Sequence, residues 1–319
     1  MLSNSMVHKL FSVKDLEQVQ SRIGRKYWFY KGDELYRYRL SETNGPYQTR
    51  NLQMLRKCVP NARTIIDVGA NIGTNTVEYA TWGKNIESFE PMRNNFYLCK
   101  KNVAHAKKHK LKGTYFDRKS GKHKHNPDRP DGWFKTGKKE FSSLDLTGKI
   151  NFYNVALGDK ATQVNMAQKI SEYSRGDAVM VNGKSKHPKT KVKMDTLDSY
   201  DFKDVDIIKI DVEGFELRVL QGATNTIKKH RPVIQCELRN AFCKRFGYTA
   251  NDLVKFVKSF RSYVMCDFNG KICTSDVLQK PNNTMDVFFV PKKLYNKLET
   301  TNKSYIGRKV TNKFTDFFE

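Results

Sequence analysis

Short apolar runs recur along the chain, separated by longer segments of mixed polarity. Thr64-Ile65-Ile66-Asp67-Val68 is one such run, and Ile65, Ile66 and Val68 suit a strand buried on both faces of a parallel sheet. Residues 85–90, 150–156, 205–211, 232–238, 262–267 and 285–290 read the same way. Helices are predicted between them, over 74–82, 92–104, 214–229 and 249–260. Leu217, Val219, Leu220 and Ile227 give one of these an apolar face. Pro46 to Val59 predicts a further helix leading into the first strand, and 162–196 reads as short strands and turns. Asn269-Gly270 is a strong turn signal. Strands alternating with helices predict an α/β fold with a largely parallel sheet and a switch point. Ahead of this rhythm a helix is expected over Val13 to Ile23. Tyr27-Trp28-Phe29-Tyr30 and Leu35-Tyr36-Arg37-Tyr38 then predict an aromatic hairpin around Gly32-Asp33. Packing against the main domain explains these aromatics; base stacking is the alternative.

The region 105–149 breaks the pattern. It is rich in Lys, His, Gly, Pro and Asp with few aliphatics, and reads as a surface excursion. Lysine and arginine dominate 105–139, around the aromatic pair Trp133-Phe134, and a second basic cluster runs from Lys184 to Lys193. The formal net charge is +25 over 319 residues, which suits an anionic partner such as a glycan, a glycolipid or nucleic acid. Solvated lysines on every face are the alternative, and the clustering argues against it. Hydrophobic content of 38% is lean but sufficient for a core. No apolar run is long enough to span a membrane, and the first residues lack a signal core. None of the six cysteines forms a C-x-x-C pair, so zinc is not expected and no metal ligand is assigned. Cys236 falls in a predicted buried strand, which favours free thiols and a cytoplasmic location.

The first strand runs straight into chemistry. Asp67-Val68-Gly69-Ala70-Asn71-Ile72-Gly73-Thr74 places an acid and two spaced glycines at its carboxyl end, where open α/β sheets bind nucleotides. The spacing is neither G-x-G-x-x-G nor a phosphate loop, and Asp67 would repel a phosphate. A ligand with a cationic end fits better, and S-adenosylmethionine is such a ligand. Glu90 ends the second strand about twenty residues past the loop, where a carboxylate accepts ribose hydroxyls. Taken singly, Asp67 reads equally as a helix cap and Glu90 as a solvated acid.

Asp67 to Gly73 followed by Phe89-Glu90-Pro91 resembles the FkbM-type S-adenosylmethionine-dependent methyltransferases. Asn154 to Asp159, Asp195 to Asp198, Ile208 to Glu216, Val219 to Ala223 and Pro232 to Glu237 agree in order, and the block Lys209 to Gly214 is the most specific. The likeness covers about residues 47 to 290. It implies a Rossmann-like class I methyltransferase: a mostly parallel seven-stranded sheet, its last strand antiparallel, with helices on both faces. The expected organisation is an N-terminal helical and aromatic extension over 1–45, a methyltransferase domain over 46–291 with the basic insertion at about 105–149, and a basic tail over 292–319. Family members usually need a much shorter link than this insertion. The resemblance also implies that the lead-in around Tyr47, Gln48 and Asn51 covers the cofactor. Expected cofactor ligands are Asp67, Gly69, Ala70, Asn71, Gly73, Thr74, Glu90, Asn154, Asp159 and Asp211.

Methyl transfer to oxygen is an in-line displacement that needs positioning and a base for the acceptor proton. Lys209, Asp211, Glu213 and Glu237 are the expected catalytic residues, crowded at two strand ends. Alternation along the strand puts Lys209, Asp211 and Glu213 on one face. Clustered acids raise one another's pKa, so one can serve as base or anchor. A divalent ion held by the acids, or neutralisation by Lys209 for structure alone, are the alternatives. Glu216 reads as surface or capping, and Asp195 and Asp198 as turn caps. The family implies O-methylation of a hydroxyl on a sugar, glycolipid or other metabolite, here of anionic character. The charge keeps RNA or another nucleic acid as an alternative acceptor. Ribose methyltransferases generally use a Lys-Asp-Lys-Glu set, and Glu237 stands where the second lysine is expected. A non-catalytic nucleic-acid or glycan binder is the remaining alternative, and the intact acids argue against it.

Overall fold

The computed structural model describes residues 15–20, 26–42, 48–108, 114–117, 122–125, 146–168, 177–181, 187–274 and 284–298. The chain opens with a hairpin of β1 (Leu16–Gln20) and β2 (Lys26–Tyr30), then α1 (Glu34–Glu42) and α2 (Thr49–Cys58). Next come β3 (Thr64–Val68), α3 (Thr74–Tyr79), β4 (Asn85–Phe89), α4 (Arg93–Lys108), and a small hairpin of β5 (Thr114–Asp117) and β6 (Lys122–His125). Five strands follow: β7 (Lys149–Tyr153), β8 (Ala156–Leu157), β9 (Thr162–Gln168), β10 (Ala178–Met180) and β11 (Lys189–Asp195). The last part holds β12 (Val205–Ile210), α5 (Glu216–Gln221), α6 (Thr224–His230), β13 (Val233–Arg239), α7 (Asn240–Cys243), α8 (Ala250–Ser259), β14 (Tyr263–Cys266) and β15 (Thr284–Pro291).

Seven strands form the main sheet in the order β14-β15-β13-β12-β3-β4-β7. β13, β12, β3, β4 and β7 run parallel, and β15 runs antiparallel to both its neighbours. The sheet is therefore mixed. Its chain order reverses between β3 and β12, which creates a crevice at the carboxyl ends of those strands. Successive strand residues feed opposite faces: Ile66, Ile208 and Ile234 pack with α5, α6 and α8, whereas Ile65, Ile207 and Val233 pack with α2 and Tyr79 of α3. Among the described residues no helix is long and apolar enough to cross a membrane.

The N-terminal elements differ from expectation. Residues predicted as a helix form β1, because pairing with the aromatic strand β2 outweighs local preference. The second half of the expected hairpin is α1. Asp33 caps it, its Oδ1 accepting the Tyr36 N–H at 3.0 Å. The aromatics do pack on the main domain: Tyr27, Phe29, Tyr30, Tyr36 and Leu40 bury against Ile72, Val77, Leu98 and Val103. Asn102 of α4 ties β2 down, accepting the Trp28 N–H at 2.6 Å and donating to Trp28 O at 2.9 Å and Ile72 O at 2.7 Å.

Two further expectations divide. The strand expected over 150–156 splits after Tyr153, and β8 joins an accessory four-stranded sheet, β10-β9-β11-β8. The helix expected over 214–229 breaks into α5 and α6 at Gly222-Ala223. A Cβ at Gly222 would lie 1.9 Å from Gly158 O, so only glycine lets the two backbones meet. Asp198 caps α6, accepting the N–H groups of Asn225 and Thr226 at 2.9 and 2.8 Å. Asp195 accepts the Tyr200 hydroxyl at 3.1 Å, and both acids thus serve turns as expected. Trp133-Phe134, Lys184, Lys186, the tail from 299 and most of the basic excursion lie outside the described residues.

Candidate functional site

The crevice holds a cleft of about 390 Å³. Its wall includes Gly69, Ala70 and Asn71 after β3, Glu90 and Pro91 after β4, Asp211 to Glu213 after β12, and Glu237 and Arg239 at the end of β13. Of the expected catalytic residues, Lys209, Asp211, Glu213 and Glu237 all line it. Of the expected cofactor ligands, Gly69, Ala70, Asn71, Thr74, Glu90 and Asp211 line it, whereas Asp67, Gly73, Asn154 and Asp159 do not.

Asp67 and Lys209 are register partners on β3 and β12 and lie beneath the glycine loop. Their side chains are 0% and 3% exposed, and Lys209 Nζ sits 3.3 Å from Asp67 Oδ1. Such a buried pair persists because each charge needs the other. Asp67 Oδ2 also accepts the Thr76 hydroxyl at 2.6 Å, and Lys209 Nζ donates to Gly69 O at 2.9 Å. Asp67 therefore shapes the loop from below rather than facing the cleft. Gly69 has φ +76°, and a Cβ there would lie 2.0 Å from Asp211 O. The turns after β3 and β12 touch at this point. Gly73 precedes α3 and packs against Cys99.

Glu90 braces the same loop. Its carboxylate accepts the Asn71 N–H at 2.9 Å and the Met92 N–H at 2.8 Å. Burial pushes its pKa up to about 7, against those two hydrogen bonds. Asn154 acts one layer back, its Nδ2 donating to Glu90 O and Pro91 O at 2.9 Å each. Asp159 lies outside the cleft, with Arg218 Nη1 3.7 Å away. The split of the expected strand after Tyr153 carries Asp159 away from β4.

β12 ends at Ile210, so Asp211 and Glu213 stand in a turn rather than on the strand as expected. Glu213 has φ +58°, a left-handed conformation uncommon outside glycine. Asp211, Glu213 and Glu237 nevertheless converge, each offering a carboxylate oxygen within 4.8 Å of the others. Lys209 Nζ is 3.8 Å from Asp211 Oδ2. The Asp211 charge first, and burial second, hold the Glu237 carboxyl well above the usual carboxylate range. Of the two readings of Glu216, surface or capping, the structure shows the capping one. Glu216 is buried, and its Oε1 accepts the Val212 and Gly214 N–H groups at 3.2 and 3.0 Å. The Tyr248 hydroxyl donates to Gly214 O at 2.7 Å, so the acid-bearing turn is fixed from below.

A smaller apolar pocket of about 30 Å³ adjoins the cleft and shares Gly69, Pro91, Met166 and Val212 with it. Val155, Leu157 and Phe215 complete much of its lining. Tyr36 and Arg39 of α1 reach the cleft from the N-terminal side, with Gln48 before α2. Gln48 Oε1 accepts the Asn75 Nδ2 at 2.7 Å, which ties the lead-in to the cleft wall. Asn51 lies buried outside the cleft wall, and Tyr47 is outside the described residues. Tyr36, Arg39, Met166, Arg239 and Phe242 were not legible as site residues. Arg239 alone carried a signal, since it continues the alternation 235, 237, 239 along β13.

A family model described as the methyltransferase FkbM domain matches residues 67–264, more than half of the chain. The chain belongs to the FkbM methyltransferase family. Its cofactor is S-adenosylmethionine. An FkbM methyltransferase from Methylobacillus flagellatus KT is 14% identical with a TM-score of 0.42; the match covers 72% of this chain and 44% of that one. The chain thus spans less than half the length of that FkbM protein. An rRNA methylase from Streptococcus thermophilus is 7% identical, with coverage of 77% and 95% and a TM-score of 0.38. A TehB-like SAM-dependent methyltransferase from Corynebacterium glutamicum ATCC 13032 is 9% identical, with coverage of 76% and 88% and a TM-score of 0.36. Comparison with curated proteins returned no match.

The cleft fits the FkbM cofactor on its own features. Asn75, which lines the cleft, is 5% exposed with an Oδ1 that meets no hydrogen-bond donor. An acidic wall also suits a ligand whose reactive centre is cationic.

Proposed function

We propose that this protein methylates a hydroxyl oxygen of a sugar, glycolipid or other metabolite with anionic character. The convergence of Asp211, Glu213 and Glu237 within the cleft, beside the glycine loop, carries this reading. Gly69, Ala70, Asn71, Thr74 and Glu90 would hold the cofactor, with Asp67, Gly73 and Asn154 shaping the loop and its neighbour. The apolar lining at Met166 and Phe215 beside the cleft suits contact with the adenine ring. Bound S-adenosylmethionine supplies a methyl group on a positively charged sulfur.

The chain's own residues supply the rest. Asp211 accepts the proton of the acceptor hydroxyl as the oxygen becomes nucleophilic. Lys209 and the Glu216-braced turn hold that carboxylate in place, so alignment contributes much of the acceleration. Glu237 enters protonated and hydrogen-bonds within the acid cluster, which spares the site a third negative charge.

The test is methyl transfer from tritiated S-adenosylmethionine to RNA, DNA, nucleotides, and neutral and anionic glycans. Asp211→Ala and Glu213→Ala are each expected to lower turnover by about a hundredfold or more, with cofactor affinity kept in at least one. Full activity in both variants makes the cluster structural. A nucleic-acid acceptor is the second reading, favoured by the net charge of +25. Its signature is affinity for the polymer that falls steeply between about 50 and 200 mM salt.

A further inference from the structure

Arg239 is a cation that lines the cleft without an ion-pair partner among the described residues. It lies half-buried on the cleft wall, two residues beyond Glu237 on the same face of β13. Its Nε is buried and has no hydrogen-bond partner. Among the described residues its guanidinium makes no ion pair; its contact is the Phe242 ring, 4.3 Å from the guanidinium carbon to the centroid. Arg245 lies over the same ring at 4.1 Å. A buried, unpaired guanidinium donor is costly, and proteins keep such donors where a ligand satisfies them. Arginine's planar fork matches carboxylate or phosphate oxygens. Phe242 also lines the cleft and offers an apolar face beside that fork.

We propose that Arg239 is the acceptor-anion subsite: it takes a carboxylate or phosphate carried by the acceptor near the hydroxyl that is methylated. The inference rests on the methyl-acceptor reading above and deepens it. Two strand residues advance about 6.6 Å, so the anion lies roughly one sugar-ring width from the acid cluster. A uronic acid or a sugar phosphate satisfies that spacing, with its ring on Phe242.

The experiment compares p-nitrophenyl β-glucuronide, p-nitrophenyl β-glucoside and glucose 6-phosphate as acceptors with wild type, Arg239→Gln and Arg239→Lys. Binding of the same compounds to protein loaded with S-adenosylhomocysteine is measured by calorimetry. Wild type should favour a charged acceptor over the glucoside by about tenfold or more in kcat/KM, and Arg239→Gln should erase the preference. The preferred charged compound separates carboxylate from phosphate. Arg239→Lys should retain part of the preference, because charge survives without the fork. Cofactor affinity should be unchanged in both variants. Equal use of charged and neutral acceptors by wild type overturns the subsite and leaves the methyl-transfer reading standing. Loss of cofactor affinity in Arg239→Gln also overturns it, because the arginine would then serve the methyl donor. Arg239-dependent binding of the anions without transfer supports the subsite and sinks sugar O-methylation. Absence of both binding and transfer overturns the subsite.

Discussion

Two residues between β12 and the first turn of α5 show how local irregularity shapes the cleft wall. Glu213 holds φ +58°, and Glu216 keeps the turn in that conformation by accepting two backbone N–H groups. A left-handed side-chain residue stores about 1 kcal/mol or more of steric strain. Glu213→Gly should therefore be more stable than Glu213→Ala by about 1 kcal/mol in urea denaturation, while both lose turnover. Equal stability would mean that the turn relaxes freely. Lys209 presents the opposite case, an ion buried beside Asp67. Lys209→Met should cost about 3–5 kcal/mol of stability, since it strands the Asp67 carboxylate. A loss under about 1 kcal/mol would show that water reaches Asp67. The sequence motifs marked Asp67, Glu90, Asp211 and Glu237, and the fold gathers them around the ends of adjacent strands, with all but Asp67 on the cleft wall. What they could not reveal is which acids face the cleft and which brace the chain. Asp67 and Glu216 went below the site because burial depends on neighbours that arrive from far along the sequence.

At the scale of elements, apolar periodicity was a sound guide inside the main sheet, where burial on both faces fixes the pattern. It failed at the N-terminus, where Leu16 to Gln20 pair with an aromatic strand, and at Leu35 to Tyr38, where the Asp33 cap starts a helix. The first outcome depends on the pairing with β2, and the second on a local cap that the aromatic alternation masked. The N-terminal hairpin and α1 are pinned chiefly by aromatic burial and by Asn102. Asn102→Ala removes three hydrogen bonds and leaves Trp28 and Ile72 backbone groups unsatisfied, at about 1–3 kcal/mol. Limited proteolysis should then cut within residues 15–42 faster than in wild type, while the β12–β13 core keeps its resistance. Unchanged cleavage would mean that the aromatics hold the hairpin alone. The basic excursion gave a composition but no apolar period, so its pattern carried no placement.

For the whole molecule, buried carboxylates set a pH response. Burial raises Glu90 and Glu216 from 4.5 to about 7. A carboxyl whose folded pKa is raised contributes stability below its unfolded pKa, and that stability is lost as pH rises through the folded value. The window runs from about pH 4.5 to about 7. Glu216→Gln keeps the neutral form, so its stability relative to wild type should improve across this window by on the order of 3 kcal/mol. Calorimetric unfolding of the pair at several pH values checks this; a difference that stays constant would place Glu216 in contact with water. The packing of Gly222 on Gly158 has a further consequence for the whole molecule. Asp198 N–H also donates to Gly222 O at 2.9 Å, so the chain leaving β11 is fastened to the end of α5. The accessory sheet is thereby joined, backbone to backbone, to α5 and so to the acid-bearing turn that leads into it. Tyr36 and Arg39 are held independently of that joint, because α1 packs on the separate cluster of Ile72, Val77, Leu98 and Val103.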